Sequence, residues 1–428
     1  MRVVVAGGGI GGLALAQGLR SAGVEVVVLE RDTRPEHTGG YRLHLDDGAR
    51  AALARLLPAG VYRAVLTSSA AGLHRFSFCD HRMRVLASEV PPPGDRVMIG
   101  RIPLRTLLAH GLDVRWGQAY GGHEAGPDGR IHVRAGSPIT GAPRSGTSGA
   151  PGPDTGTVEI ADVLVGADGV GSAVVRTLAG RTLSAPTGVE GIAGRIPLDD
   201  DTRALLPGPL RGGAALAIAP GGVGAFLTVH DPATAPRLPD PADDPPGILE
   251  DPYLLWAPGM PAERFPRDPR ALDGPGLTAL AAELAEGWHP ALRELVTRLD
   301  PAATGHFRFH AADPDADPAP WTTGPVTALG DAVHAMPPTG GRGAATAIRD
   351  ADVLARRLVA ARDAGTPVAD ALRAYEAEMR TYGPDAVRES LAPLRWQRRL
   401  SGPVGGMLLR SAGGAAAARE WLSRSRPR

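Results

Sequence analysis

A run of glycines near the start of the chain, Gly7-Gly8-Gly9-Ile10-Gly11-Gly12, constrains the fold more than any other feature. It satisfies the spacing G-x-G-x-x-G. Residues 2–6 (RVVVA) before it read as a short buried strand, residues 10–22 as a helix and Val24–Leu29 as a second buried strand closed by Glu30. Each glycine has a physical task in such a βαβ opening. Gly7 permits the tight turn, Gly9 lets an anionic group approach the backbone, and Gly12 lets the helix pack close to the strand. Free N–H groups and the dipole at the helix N-terminus favour phosphates. Glu30 offers an acceptor to an adenosine ribose. The pattern implies a dinucleotide site without choosing between NAD and FAD.

Two further predicted strands end in turns suited to a ligand. Val163–Val165 runs into Gly166-Ala167-Asp168-Gly169, followed by Ser172 and Arg176. Asp168 suits either a ribose or ribityl hydroxyl, or the backbone N–H groups of its own loop. Val326–Leu329 precedes Gly330-Asp331, then His334, the rigid pair Pro337-Pro338, and Gly340-Gly341-Arg342-Gly343-Ala344 before a helix. That helix presents a second free N-terminus to an anionic ring edge or a phosphate.

What the chain lacks narrows the chemistry. All 46 basic residues are Arg, balanced by 46 acids, and there is no Lys or Asn. A P-loop lysine, a Schiff-base lysine and a lysine general base are excluded. Zero net charge points away from nucleic acid. The single cysteine, Cys79, excludes a disulfide framework and a Cys-rich metal site, and no metal is expected. The lone cysteine leads to the expectation of a cytoplasmic protein, and no apolar run reaches the ~18 residues that cross a bilayer, so no membrane insertion is expected.

Taken in order, the three motifs resemble those of the FAD-dependent aromatic hydroxylases, the single-component (group A) flavoprotein monooxygenases with a para-hydroxybenzoate hydroxylase-like fold. The middle motif looks like that family's Asp-Gly fingerprint and the third like its Gly-Asp fingerprint. The likeness covers roughly residues 1–382. It implies an α/β fold: a Rossmann-type FAD-binding domain with an inserted β-sheet substrate domain and C-terminal helices. By position, the resemblance implies that Gly7, Gly9, Gly12 and Glu30 hold the ADP half of FAD, with Arg31 over the adenine or pyrophosphate. Arg101 matches an Arg that reaches the ribityl–phosphate region, and Asp168 belongs to the same cofactor set. Asp331 takes a ribityl hydroxyl, and Pro337 and Pro338 border the isoalloxazine. The helix N-terminus at Gly343-Ala344 stabilises negative charge at the ring's N1–C2 carbonyl edge. Gly40-Tyr41-Arg42-Leu43-His44 matches a segment near the flavin. Arg42 is then a candidate for an NADPH phosphate or the ring, and Arg42 and His44 are the candidate catalytic residues. His334 reads as a structural histidine. Ala345 stands where the family usually has Asn, and Val175 where it often has Arg.

The activity so implied is a monooxygenase that uses NADPH or NADH and O₂, through a flavin C4a-hydroperoxide, to hydroxylate or epoxidise a bulky, polyketide-like metabolite. The alternative is a non-redox [4+2] cyclase that keeps FAD as a wall. A small-molecule substrate and a monomer or homodimer are expected. The domain reading places FAD binding in 1–180 and 321–382, with a flexible hairpin insertion at 136–156. The substrate domain is placed in 181–320 and a helical tail in 383–428. Helices are predicted over 47–57, 101–110, 277–299, 343–361 and 367–382. Trp256, Phe226, Phe307, Phe309 and Trp288 read as pocket lining or core alike.

Overall fold

A computed structural model describes residues 1–40, 42–90, 96–137, 156–219, 222–234 and 245–400. Short Val- and Leu-rich runs form a parallel sheet: β1 (Arg2–Ala6), β2 (Glu25–Glu30), β8 (Val114–Trp116), β12 (Val163–Gly166) and β18 (Val326–Ala328), in the order β18-β12-β1-β2-β8. Both faces of β1 are buried. Val3 and Val5 pack into one core, while Val4 and Ala6 pack into another. Double-sided burial is why these strands read as unbroken apolar runs. The first core is filled by α1 (Ile10–Ser21), α2 (Asp47–Leu56), α3 (Ala59–Thr67), α4 (Arg101–Ala109), α10 (Gly343–Ala364) and α11 (Val368–Leu400). The second lies under α5 (Ala173–Ala179) and an antiparallel sheet of β9 (Ala119–Ala125), β10 (Ile131–Gly136) and β11 (Thr157–Ala161). The predicted hairpin insertion joins β10 to β11, which pair antiparallel; its residues 138–155 lie outside the described residues.

The other layer is a seven-stranded sheet in the order β17-β13-β16-β15-β14-β5-β6. Five strands come from the segment predicted to make it: β13 (Ser184–Pro197), β14 (Ala214–Ile218), β15 (Gly224–His230), β16 (Tyr253–Pro261) and β17 (Gly305–Ala312). The other two, β5 (Phe76–Asp80) and β6 (Val85–Glu89), come from outside 181–320. Buried β14 would otherwise be a bare apolar edge; β5 closes it in parallel, and mostly exposed β6 becomes the outer strand. Cys79 of β5 is fully buried, and burial pushes its thiol up to about 12.

One face of this sheet is covered by α6 (Asp200–Leu205), α7 (Gly274–Leu284) and α8 (Pro290–Val296). The single helix predicted over 277–299 is therefore two. Gly287, at φ +79°, turns the chain left-handed after α7, and Pro290 opens α8 at its first position. A small sheet in the order β3-β7-β4, from β3 (Arg42–Leu45), β4 (Ser69–Ala71) and β7 (Val97–Gly100), lies between the layers. The short helix α9 (Asp331–His334) follows β18.

The predicted boundary at 382/383 falls inside α11, which continues to Leu400 through Pro384 and Pro393. Each proline removes one helical hydrogen bond. Burial of Tyr382, Val387, Ser390 and Leu394 holds the helix against the body past both. Residues 401–428 of the predicted tail lie outside the described residues. Among the described residues, no helix is long and apolar enough to cross a membrane.

Candidate active site

The C-terminal ends of β1, β12 and β18 bring the three motifs together. Gly7 sits at φ +118°, and a Cβ there would lie 2.2 Å from the Ala167 carbonyl oxygen. The first two motifs thus touch backbone to backbone. A Cβ on Gly12 would lie 2.1 Å from the Gly7 oxygen, which fixes the close approach of α1 to β1. Gly9 differs: nothing lies within 4 Å of a Cβ placed there. It faces open space at the N-terminus of α1, where no side chain caps the helix. The N-terminus of α10 has no side-chain cap either. Two sets of helical N–H groups are therefore left for a ligand or water.

Asp331 stands at the mouth of α10, with its Oδ1 3.9 Å from a Cβ placed on Gly343. It is exposed to the cleft yet walled by protein. Burial raises its carboxyl above the usual range, and the charges of Arg101 and His334 oppose the rise. Arg101 is half-buried with no protein partner at Nε. Burial lowers its pKa, against the pull of Asp331, Asp32 and Glu30. A Cβ on Gly40, at φ +105°, would lie 3.0 Å from the Arg101 side chain. An open glycine face, two uncapped helix starts, a cation and a carboxylate suit a pyrophosphate joined to a hydroxylated chain. The residues fit FAD.

Other predicted cofactor residues are already engaged with protein. Glu30 accepts from the backbone N–H of Gly8 (2.7 Å) and of Asp32 (2.8 Å). It also pairs with Arg105 at 3.0 Å. Arg105 is buried; it reaches Asp32 Oδ2 at 2.8 Å, donates to the Gly8 oxygen at 2.8 Å and lies over the Trp116 ring. Sequence reasoning missed it, although it follows Arg101 by one helical turn. Arg31 is exposed at the end of β2. Asp168 accepts from Ser172 Oγ (2.5 Å) and the Ala173 N–H (2.7 Å), so its carboxylate closes the start of α5. Of the two readings open for Asp168, loop holding is the one it makes here. Pro337 is buried and Pro338 exposed, ahead of Gly343 and Ala344. His334 is buried, with Nε2 2.6 Å from Asp350 Oδ2, away from the cleft.

The two candidate catalytic residues lie on β3, beside the second layer. Arg42 donates to the Val229 carbonyl on β15, and burial lowers its pKa to about 10 against the opposing influence of Tyr253. This turns its guanidinium toward the seven-stranded sheet. His44 is half-buried, with its Cβ 4.0 Å from a Cβ placed on Gly341. Burial, with Arg96, Arg42 and Arg342, lowers its pKa against the influence of Asp46, so the ring is neutral at pH 7. Tyr41 lies outside the described residues.

The second sheet sorts the aromatic residues. Trp256 and Trp288 meet edge to face, 5.1 Å between centroids, inside the helix-covered core. Phe226, Phe307 and Phe309 belong to the other face and stay half-buried; the last two stack at 6.4 Å. That face also carries a polar cluster that no motif announced. His230 is fully buried against the Tyr253 ring, and neither ring nitrogen has a hydrogen-bond partner. Its Nε2 is 3.6 Å from Glu250 Oε2, which has no partner either, while Glu250 Oε1 takes Arg195 at 2.8 Å. Burial, with Arg42 and Arg195, lowers His230 to about 4 against the influence of Asp231. Glu250 also abuts Gly100, where a Cβ would lie 1.8 Å from Oε2. Four distant strands and a loop supply these groups, so no local sequence signal could have found them.

Comparison with known proteins agrees with this geometry. A family described as FAD binding domain matches residues 297–390, and an NAD(P)-binding Rossmann-like domain matches residues 5–54. The chain is 29% identical over 417 residues to a dual O-methyltransferase/FAD-dependent monooxygenase of Cercospora beticola, covering 89% of this chain and 44% of that protein. The chain thus spans less than half the length of that relative. It is 26% identical to an FAD-dependent urate hydroxylase of Mycolicibacterium vanbaalenii, over 90% of this chain and 86% of that one. A solved structure, a putative FAD containing monooxygenase from Photorhabdus luminescens, superposes with a TM-score of 0.73 at 28% identity, covering 98% and 99% of the two chains. The chain is thus similar to FAD-dependent monooxygenases and shares the fold of the Photorhabdus luminescens protein.

Proposed function

We propose that the chain hydroxylates or epoxidises a bulky aromatic metabolite, with FAD held in the cleft and NADPH or NADH as electron donor. The observation that carries this reading is the convergence of Gly9, two uncapped helix starts, Arg101 and Asp331 on one open cleft. FAD bound there supplies the redox and oxygen chemistry. The protein's part is to bind, orient and exclude water. The N-termini of α1 and α10 and Arg101 balance negative charge, and Asp331 accepts from a hydroxyl of the cofactor. Neutral His44, beside the Gly341 turn, offers a hydrogen bond to substrate without adding charge. Phe226, Phe307 and Phe309 offer a flat apolar wall to an aromatic body, which supports a ring-rich substrate.

In the same reading, residues 1–180 and 321–382 hold the cofactor and 181–320 shape the substrate side. The test is direct. Purified protein reconstituted with FAD is mixed with NADPH or NADH in air, and nicotinamide oxidation is followed with a panel of polycyclic phenols and polyenes. Substrate-accelerated oxidation with an oxygenated product supports the proposal. Tight FAD binding with no nicotinamide oxidation under any substrate moves the reading to the non-redox cyclase.

A further inference from the structure

The loop from Gly330 to Gly343 is tied at both ends by side chains outside the cofactor motifs, from the middle of α10 and from α11. Asp350, fully buried on α10, accepts from the Gly330 N–H at 2.8 Å and from Tyr382 of α11 at 2.7 Å, besides its contact with His334. Gly330 adopts φ +64°, and Asp331 follows it directly. The Arg349 guanidinium covers the Tyr382 ring at 3.7 Å and holds it in place. One residue on, Gly383 leaves room for His334, whose ring carbon lies 3.2 Å from a Cβ placed there. Two turns further, α11 grips the far end of the loop. Thr339 donates to the Ser390 oxygen at 2.5 Å, Gly340 packs on Ser390, and Arg342, the residue just before α10, pairs with Glu389.

We propose that residues 382–390 of α11 form a brace that sets the shape of the cofactor loop, with Tyr382 and Glu389 as positioning residues acting through Asp350 and Arg342. This rests on the reading of the cleft as the FAD site. It explains why α11 continues past Pro384: ending the helix at the predicted boundary would release the grip on Thr339 and Arg342. Neither Tyr382 nor Glu389 reaches the cleft itself, because their polar atoms are spent on Asp350 and Arg342.

The test compares FAD affinity, the fine structure of the bound flavin's visible spectrum and the melting temperature of the FAD-free full chain in three variants. Tyr382→Phe keeps the ring and removes one bond to Asp350. It should weaken FAD binding about tenfold, the worth of one hydrogen bond to a charged group, and blur the flavin bands. Glu389→Gln, a surface change that keeps the fold, should weaken binding by about twofold to threefold with the same spectral trend. Thr323→Val removes a bond of similar kind from the same helix, Thr323 to Glu376 at 2.6 Å, away from the loop. It should lower the melting temperature but leave FAD affinity and spectrum unchanged.

Equal FAD losses in Tyr382→Phe and Thr323→Val would overturn the brace, because general loosening of α11 would then be enough. Unchanged affinity in both Tyr382→Phe and Glu389→Gln would overturn it too. Should Tyr382→Phe fail to fold, Glu389→Gln decides alone. A wild-type chain that binds no FAD would defeat the cofactor reading along with the brace, whereas FAD binding untouched by the variants defeats only the brace.

Discussion

The turn after β18 and the polar end of the second sheet each bury a histidine beside a carboxylate, with opposite results. At the turn, His334 Nε2 lies 2.6 Å from Asp350, and Gly330 and Tyr382 donate to the same carboxylate. In the sheet, His230 Nε2 is 3.6 Å from Glu250, and both rings' surroundings differ accordingly: His230 has no hydrogen bond to either nitrogen. Burial works against the charged form in both. Asp350 outweighs it and leaves His334 raised, while His230, with Arg42 and Arg195 near, falls to about 4. A difference of about 1 Å in contact thus separates a closed network from a set of polar groups still open to a partner. The closed network holds a backbone turn, whereas the open one leaves buried polar atoms of His230 and Glu250 without a hydrogen bond.

The largest effect is expected from breaking the closed network. Asp350→Ala would strand His334, Tyr382 and the Gly330 N–H in the interior and should cost about 3–5 kcal/mol, read as a large drop in the urea midpoint. If the midpoint barely moves, the network is not what holds the turn.

Next comes acid. The folded His230 resists the proton that an unfolded histidine takes at about 6.5, so between there and about 4 the unfolded chain binds more protons and stability falls with pH. The expected loss is up to about 3 kcal/mol across that window. His230→Gln should flatten it, as urea midpoints at a series of pH values would record. His334 has the opposite sign: its raised pKa adds stability that is complete below about 6.5 and is lost as pH rises through the folded value. A slope left unchanged in His230→Gln would erase the contrast.

Smaller changes sharpen it. Glu250→Gln keeps the shape but removes the charge facing Arg195, and should cost about 1–2 kcal/mol while lowering His230 further, as its ring proton resonances would report. Gly100→Ala should cost a similar amount in thermal melts, because the new methyl must push aside the Glu250 carboxylate that Arg195 holds.

How much of this was legible in the sequence follows from how far apart the parts lie. The parallel sheet and its three turns are local: each strand, its closing glycines and its Asp are adjacent, so Gly7, Gly9, Asp168 and Asp331 stand where the spacing put them. The role of Asp168 was not legible, because its choice between ligand and α5 depends on Ser172 and Ala173 geometry. Arg105 was hidden because its partners, Glu30 and Asp32, come from a different strand. His230, Glu250 and Arg195 meet only through pairing of β13, β15 and β16, which no single segment encodes. The break at Gly287 and Pro290 was written in the residues and overridden by apolar periodicity; the continuation of α11 was masked by a proline whose cost burial offsets.

The deep burial of Cys79 has a practical consequence for spectroscopy. Its thiol, fully covered and pushed up to about 12, offers maleimides neither access nor thiolate at neutral pH. With no other cysteine and no lysine side chain anywhere, the native chain is silent to thiol reagents and to reagents aimed at side-chain amines. A pair of cysteines introduced on the exposed surfaces of the two layers would carry fluorophores at those two places alone. The distance between the layers could then be followed in solution as ligands bind, without first stripping the protein of its own reactive groups.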